Sequence, residues 1–500
     1  MPSENLYCKF EQSFRNAGAR TAIRAADGTA ALDYPSLLAE VARYANALAA
    51  LGVEPGDRVT AQVEKSLANV VLYLAVLKAG GVYQPLNTAY TDTEVDYFVG
   101  DAGPKLIVCD PSRQPPMRAL GDRHEVFAVV NLDAHGQGSL AAMAARMDER
   151  HDTVERKSDD LAGLLYTSGT TGRSKGAMIT HGNLAANAET LVELWRITKA
   201  DVLLHALPVF HVHGLYVALN TAFLAAAEIL WLPKFDASSA IAAMPRATLM
   251  MGVPTFYTRL LAEPGFSADV ARHMRLFISG SAPLLAETHA EFRNRAGHAI
   301  LERYGMTETG MITSNPYAGE RVPGTVGFAL PRVAVRIAGS QPGVLEVKGP
   351  NVFHGYWRMP EKTGQDFTAD GYFITGDVAA IGEDGRVTIV GRAKDVIITG
   401  GFNVYPKEIE EVLDAIPGIG ESAVIGVPHP DFGEAVVAAV TAAGAVPAEA
   451  RIISNLLEKL AKFKVPKRIF TVGELPRNAM GKVQKSELRQ RYANLFSQTV

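Results

Sequence analysis

Leu164-Leu-Tyr-Thr-Ser-Gly-Thr-Thr-Gly-Arg-Ser-Lys-Gly176 is the most informative stretch of the chain. Its apolar start reads as a strand that delivers a loop of glycines and small hydroxyl residues. The backbone N–H groups of such a loop can close around phosphate oxygens, and Arg173 and Lys175 add positive charge. A Walker A loop would need Gly at 174 and Ser or Thr after Lys175, yet Ser174 and Gly176 stand there. Ala177-Met-Ile-Thr180 then reads as a second strand, with a helix beginning after Thr180 under a threonine cap. The unit is therefore a phosphate loop between two strands and not the strand–helix unit of the P-loop NTPases. A Gly/Ser/Thr-rich surface turn is the competing reading of the composition.

On both sides of this unit, short β-rich apolar runs alternate with helical patterns, which predicts an α/β fold with layered parallel or mixed sheets. Arg58-Val-Thr-Ala-Gln-Val63 reads as a strand, 68–78 as a helix stopped by Gly80-Gly81, and Lys105-Leu-Ile-Val-Cys109 as a strand closed by Asp110-Pro111. Residues 111–160 are more polar and less periodic, and read as a solvated surface segment. Near residue 385 the texture changes. Gly382-Glu-Asp-Gly-Arg386 looks like a hairpin turn, and beyond Gly391-Arg-Ala-Lys-Asp395 come a helix over 406–413, strands over 422–426 and 435–442, and a helix over 448–460. The reading is a large N-terminal domain, 1–393, and a small α+β domain, 394–500, which at about 105 residues is large enough to own a core.

Composition narrows the function classes. The 500 residues are 48% hydrophobic and 20% charged, which excludes long disorder, and a formal charge of -4 lacks the basic footprint of a nucleic-acid binder. Any nucleotide bound is expected to be a small molecule. Cys8 and Cys109 have no zinc spacing and suit a reducing, cytoplasmic setting. The N-terminus lacks the apolar core of a signal peptide, and the longest lipid-like stretch, 215–232, is interrupted by Asn220 and Glu228, so no membrane partner is expected. Oligomeric state is open.

Tyr166-Thr-Ser-Gly-Thr-Thr-Gly-Arg-Ser-Lys-Gly176 resembles the signature loop of the adenylate-forming acyl-CoA synthetases, and the resemblance runs along nearly the whole chain. Leu207-Pro-Val-Phe-His211, Gly252-Val-Pro-Thr255, Ser279-Gly-Ser-Ala-Pro283, Glu302-Arg-Tyr-Gly-Met-Thr-Glu-Thr309, Thr375-Gly-Asp377, Gly391-Arg-Ala-Lys-Asp395, Gly400-Gly-Phe-Asn403 and Pro476-Arg-Asn-Ala-Met-Gly-Lys482 match family motifs in the family's order. The resemblance implies an ATP-dependent acid–thiol ligase. A carboxylate is joined to the α-phosphorus of ATP with loss of pyrophosphate, and the thiol of coenzyme A then displaces AMP. Both displacements depend on positioning and charge neutralisation.

By the same resemblance Thr167, Ser168, Gly169, Thr170, Thr171, Gly172 and Lys175 hold ATP, as do Gly280, Ser281 and Ala282 and the run Glu302, Arg303, Tyr304, Gly305 and Met306. Tyr304 would cover the adenine, Thr307 would contact the α-phosphate, and Glu308 would hold Mg²⁺, a hard cation that takes oxygen ligands. Asp377 and Arg392 would take the ribose hydroxyls; by itself Asp377 also reads as a turn cap. Lys482 would bridge the attacking carboxylate and the α-phosphate, although alone it passes for a solvated lysine, and it is where a lysine acetyltransferase would act. His211 would gate the acyl pocket, with a loop or core histidine as the bland alternative. Gly400, Gly401 and Phe402 would line the pantetheine channel, and Lys394 falls at the hinge of a mobile C-terminal domain.

A dicarboxylate brings a second negative charge that must be paired when buried. Arg275 opens the strand Arg275-Leu-Phe-Ile-Ser279 that runs into Ser281, so it reads either as that partner or as the cap of an exposed strand start. The blocks 203–215, 274–285, 313–317 and 348–358 resemble malonyl-CoA synthetases, which implies malonate as the acid bound by Arg275, Ser281 and His211. Gly310 and Ile312 depart from that pattern, as does a shortened loop over 338–344, so methylmalonate stays open, with Gly310 expected to enlarge or loosen the pocket. The alternatives are a short- or medium-chain monocarboxylate synthetase and an adenylation module that loads a carrier protein. With no carrier-like segment read after the last motif, free coenzyme A is the expected acceptor. A non-catalytic nucleotide-binding protein ranks last, because Lys482, Glu308 and Asp377 are all present.

Overall fold

The strands flanking the phosphate loop are Leu161–Thr167 and Lys175–Thr180, paired antiparallel so that Thr167 lies opposite Lys175. The structure, a computed structural model, describes residues 3–167, 174–400, 402–478 and 481–496. Thr180 caps the helix His181–Leu194 through a reciprocal box: its hydroxyl accepts from the Asn183 N–H at 3.1 Å, and Asn183 Oδ1 accepts from the Thr180 N–H at 3.0 Å. Two of the helix's four orphan N-terminal donors are satisfied locally, which fixes where the chain turns from strand to helix.

The chain packs as two compact units, Met1–Ala334 with Val347–Phe373, and Val335–Glu346 with Ile374–Val500. The first contains two large sheets. One has six strands in the order Ala128–Asn131, Leu106–Cys109, Arg58–Gln62, Val82–Pro85, Leu161–Thr167 and Lys175–Thr180, with the first five parallel. The other has nine strands. Six of them run parallel: Thr21–Ala25, Glu228–Trp231, Val202–His205, Leu249–Gly252, Leu276–Ser279 and Leu301–Met306. Leu249–Gly252 and Leu276–Ser279 are buried at every position, as a parallel sheet covered on both faces requires. Tyr257, Phe266, Phe277 and Phe292 close one side of this sheet, and truncating one of these rings to alanine is expected to cost about 3–5 kcal/mol.

The smaller unit has a sheet covered on both faces. Ile409 and Leu413 of the helix Pro406–Asp414, with Ile452 and Leu456 of the helix Glu449–Lys459, pack on Val424 and Val436. Ala423, Ile425 and Val427 alternate with these and meet Leu475 and Leu488 on the other face. The period of two therefore divides one strand, Ile419–His429, between two cores.

The α/β reading holds, and so do the elements read over 58–109 and 406–460. The segment 111–160 is more structured than its polarity suggests, with the helix Gln114–Arg123 and the edge strand Ala128–Asn131. These elements are too short, and too interrupted by Pro115-Pro116, to show a period. The run 215–232 folds as short helices leading into the strand Glu228–Trp231, and among the described residues no helix is long and apolar enough to cross a membrane.

Candidate active site

In a parallel sheet the ligand crevice lies beyond the carboxyl ends of the strands. There the larger unit places His205, Gly252, Ser279 and Met306, each at the end of its strand, with the motif residues 207–211, 280–283 and 307–309 following directly. Glu308 is 6% exposed, and its Oε1 accepts hydrogen bonds from the hydroxyls of Thr167 and Tyr356, each at 3.2 Å. Lys175 sits 4.1 Å from the centroid of the Tyr356 ring and 3.7 Å from Asp366 Oδ2. The strand pair thus brings a hydroxyl, a carboxylate and an ammonium to one place. Burial lowers the Lys175 pKa against the opposing pull of Asp366. Ser168, Gly169, Thr170, Thr171, Gly172 and Gly401 lie outside the described residues. Glu302 is buried and accepts from the Gly324 N–H at 3.3 Å, a backbone-holding role.

In the same unit lies a buried guanidinium that forms no ion pair with an acidic side chain among the described residues. Arg303 is 3% exposed, and its Nε and Nη2 have no hydrogen-bond partner. It lies so close over Gly280 that a Cβ at that position would overlap it. His213, whose Nδ1 is 3.2 Å from Ser281 Oγ, is held neutral by burial and then by the nearby positive charge of Arg303. Ser281 itself adopts a left-handed φ of 71°, a conformation a non-glycine residue keeps only under constraint. Ser279 Oγ and His213 Nε2 are also buried without partners. Buried polar groups are usually satisfied, and here several without partners lie together beyond the carboxyl ends of two site-lining strands. His211 is half-buried on the loop between these strands, its Nδ1 accepting from the His213 N–H at 3.3 Å. A cavity of about 330 Å³ beside that loop is lined by Val209, Phe210, Phe235 and Phe256 and by the exposed cations Lys234 and Arg259.

Arg275 is not in this cluster. It precedes the amino end of Leu276–Ser279, and the six residues to Ser281 span roughly 20 Å of extended chain. Its guanidinium forms a bidentate pair with Asp201 at 2.7 and 2.8 Å and donates to the carbonyls of Trp195 and Arg196 at 3.1 and 3.0 Å. Having the right strand placed it near the site; having the wrong end of that strand takes it away. Arg275→Ala is therefore expected to leave the KM for the acid within about two-fold and to lower Tm, because the removal strands the buried Asp201 carboxylate. A thermal melt run beside a kinetic assay separates the two outcomes. Gly310 also changes meaning. Its φ is 56°, and a Cβ would lie 2.8 Å from Asn187 Oδ1, the atom that accepts from the Met311 N–H at 3.1 Å. The glycine is needed for that contact and gives no sign of loosening a pocket.

In the smaller unit Asp377 and Arg392 are cross-strand partners on the hairpin Phe373–Ile381 to Val387–Arg392, with Arg392 Nε 2.7 Å from Asp377 Oδ1. Lys394 is exposed on the short turn Ala393–Asp395, where Asp395 is tied to Arg489 at 2.7 Å. Gly400 has φ 57°, and Phe402 is 56% exposed while stacking on Phe463 at 4.6 Å. Lys482 is exposed and follows Gly481 in a turn closed by Asn478, whose Oδ1 accepts from the Lys482 N–H at 3.0 Å.

Tyr356 and Asp366 were missed by the sequence reading, since a tyrosine in Gly355-Tyr-Trp357 looks like core. The sequence reading places Arg303 with the nucleotide residues around it; the structure seats its guanidinium over Gly280.

The chain belongs to the AMP-binding enzyme family: residues 10–357 match the model of that family and residues 408–482 that of its C-terminal domain. Within it, the malonate–CoA ligase of Arabidopsis thaliana is 35% identical over 88% of this chain and 78% of its own length, and a feruloyl-CoA synthase from Amycolatopsis sp. is 34% identical over 94% and 96%. Among solved structures, ATP-bound MatB from Rhodopseudomonas palustris is 54% identical, with a TM-score of 0.96 over 99% of this chain and all of that one.

Proposed function

We propose that this enzyme joins malonate to coenzyme A at the expense of ATP, releasing AMP and pyrophosphate through a malonyl-adenylate. Relatives of similar identity carry the names of malonate and ferulate enzymes, so pocket chemistry has to choose between acids. The observation that carries the choice is Arg303, a buried cation close over Gly280 whose Nε and Nη2 have no hydrogen-bond partner among the described residues. An aromatic or fatty acid would leave that charge unpaired, at a cost of several kcal/mol, whereas the distal carboxylate of malonate pairs it. Arg303 thus takes the role first read into Arg275.

One carboxylate oxygen of malonate attacks the α-phosphorus and pyrophosphate leaves; the thiol sulfur then attacks the acyl carbon and AMP leaves. Lys175 and the phosphate loop hold the phosphates, and Thr307 the α-phosphate. Lys482 offsets the charge that develops between the attacking carboxylate and the α-phosphate. Glu308 would hold Mg²⁺ with one hard oxygen ligand, and this cation commonly completes its shell with substrate phosphates and water. When bound it neutralises phosphate charge. Asp377 accepts from the ribose hydroxyls, with Arg392 beside it. The cavity lined by Val209 and Phe210 admits the pantetheine arm, and Lys234 and Arg259 suit the coenzyme's phosphates. Gly400, Gly401 and Phe402 are the residues assigned to the pantetheine arm in the thioester step. Its two free cysteines suit a reducing, cytoplasmic setting.

Pyrophosphate exchange across a panel of malonate, methylmalonate, acetate, octanoate and ferulate tests the reading. Malonate is expected to lead acetate by at least about 100-fold, on the scale of a buried charge left unpaired; comparable rates would sink the assignment.

The two half-reactions need Lys482 and then Gly400–Phe402 at one place, so the part of the smaller unit read as 394–500 turns about Lys394. Proline at this position fixes φ near roughly -65° and is expected to preserve exchange while malonyl-CoA formation falls by about 100-fold or more. Lys394→Ala should retain both steps.

A further inference from the structure

Tyr356 lies on a strap, residues 350–357, that is stitched to both sides of the nucleotide site. Asn183 Nδ2 donates to the carbonyls of Pro350 and Val352, each at 2.8 Å, and so anchors its start on the helix behind the phosphate loop. The Phe353 N–H donates to the Glu308 carbonyl at 2.8 Å. Farther along, Met178 N–H donates to Gly355 O at 3.0 Å, Trp357 N–H donates to Gly176 O at 2.7 Å, and Tyr356 bridges Ala177 on the strand leaving the loop. This backbone zipper leaves the side chain of Tyr356, 3% exposed, between the two elements. The hydroxyl donates to Glu308 Oε1 at 3.2 Å, and the ring face receives the Lys175 ammonium at 4.1 Å.

The arrangement resolves a conflict inherent in the site. A buried carboxylate and an ammonium brought to one place attract each other strongly, and a direct pair between them would take up the groups that metal and phosphate need. Lys175 instead has its ion pair with Asp366, at 3.7 Å, and Asp366 is shared with Lys362 at 2.6 Å. The Tyr356 side chain touches both charges: its hydroxyl, which faces Asp366 as well, donates a hydrogen bond to the Glu308 anion, and its π face meets the Lys175 cation.

We propose that Tyr356 is a positioning residue that holds the Glu308 carboxylate and the Lys175 ammonium apart and aimed into the nucleotide site. The inference rests on the assignment of Glu308 to the metal and Lys175 to the phosphates. Tyr356→Phe removes only the hydroxyl. Losing a hydrogen bond to a charged group is expected to raise the Mg²⁺ concentration for half-maximal ATP binding by about ten-fold, with ATP affinity at saturating Mg²⁺ nearly unchanged. Tyr356→Leu also removes the ring face and is expected to weaken ATP binding by a further factor of about three at saturating Mg²⁺.

The test is calorimetric titration of ATP at a series of Mg²⁺ concentrations for wild type, Tyr356→Phe, Tyr356→Leu, Glu308→Gln and the Tyr356→Phe/Glu308→Gln double variant, with Tm recorded for each. If the hydroxyl acts through Glu308, Tyr356→Phe adds nothing in the Glu308→Gln background. An unchanged Mg²⁺ requirement in Tyr356→Phe, or an equal shift in both backgrounds, overturns the proposal. A lowered Tm with normal Mg²⁺ dependence makes the tyrosine merely structural and overturns it too. Because ATP binding needs no malonate, a failed malonate assay in the wild type would count against the proposed function and not against Tyr356.

Discussion

Arg303→Met is expected to lower kcat/KM for malonate by about 10²- to 10³-fold, the scale of a buried charge deprived of its partner, while acetate is affected far less. The same substitution is expected to raise the Tm of the ligand-free enzyme by a few degrees, because an apolar side chain replaces a desolvated cation whose Nε and Nη2 have no partner among the described residues. Burial pushes the Arg303 guanidinium down to about 9, which leaves it charged at neutral pH. On the proposed pairing malonate binds the charged form, so the malonate KM should be flat through pH 7–8 and climb as pH rises through about 9. A stabilised, malonate-inactive variant would separate this arginine from an ordinary core residue. A destabilised variant with normal malonate kinetics would return the search to another cation.

The second large effect belongs to Lys482. Lys482→Ala is expected to reduce malonate-dependent pyrophosphate exchange by about 10³-fold or more, in line with the loss of a group that stabilises developing charge. Chemically prepared malonyl-adenylate should still be converted to malonyl-CoA, because the proposed mechanism gives this ammonium no part in the thiol attack. Acetylation of Nε by a lysine acetyltransferase removes the same charge and should give the same split between half-reactions. The exposed turn that presents Lys482 is compatible with such a modification. Normal exchange in the alanine variant would return Lys482 to the ordinary solvated lysines.

Much of the fold is legible in the sequence. The loop 164–176 announced two strands because its flanks are apolar and because Ser174 and Gly176 break the helix-starting pattern, and Thr180 announced the helix cap. The smaller unit was legible because its strands alternate cleanly between two cores. What failed was direction and depth. Arg275 sits on a site-lining strand, but only the carboxyl end of a parallel strand faces the crevice, and the rule that would have excluded it needs the sheet to be known as parallel. Arg303 was concealed by alternation along Leu301–Met306, where neighbouring residues face opposite ways and cannot all serve one ligand. Tyr356 was concealed by its type, since a buried tyrosine usually means core.

The close seating of Arg303 on Gly280 constrains how such an enzyme could change its acid over evolutionary time. A change from a dicarboxylate to a larger monocarboxylate removes the guanidinium and leaves a void over Gly280 that a methyl group would partly fill. The order of those two substitutions is not free. Gly280→Ala alone drives a Cβ into the guanidinium and damages the existing enzyme, whereas after Arg303 has been replaced the same alanine fills space. One mutation thus reverses its sign with the background in which it arises. Lineages that diverge from this ancestor have to pass through the loss of the arginine first, and a reversion must surrender the alanine before the charge can return.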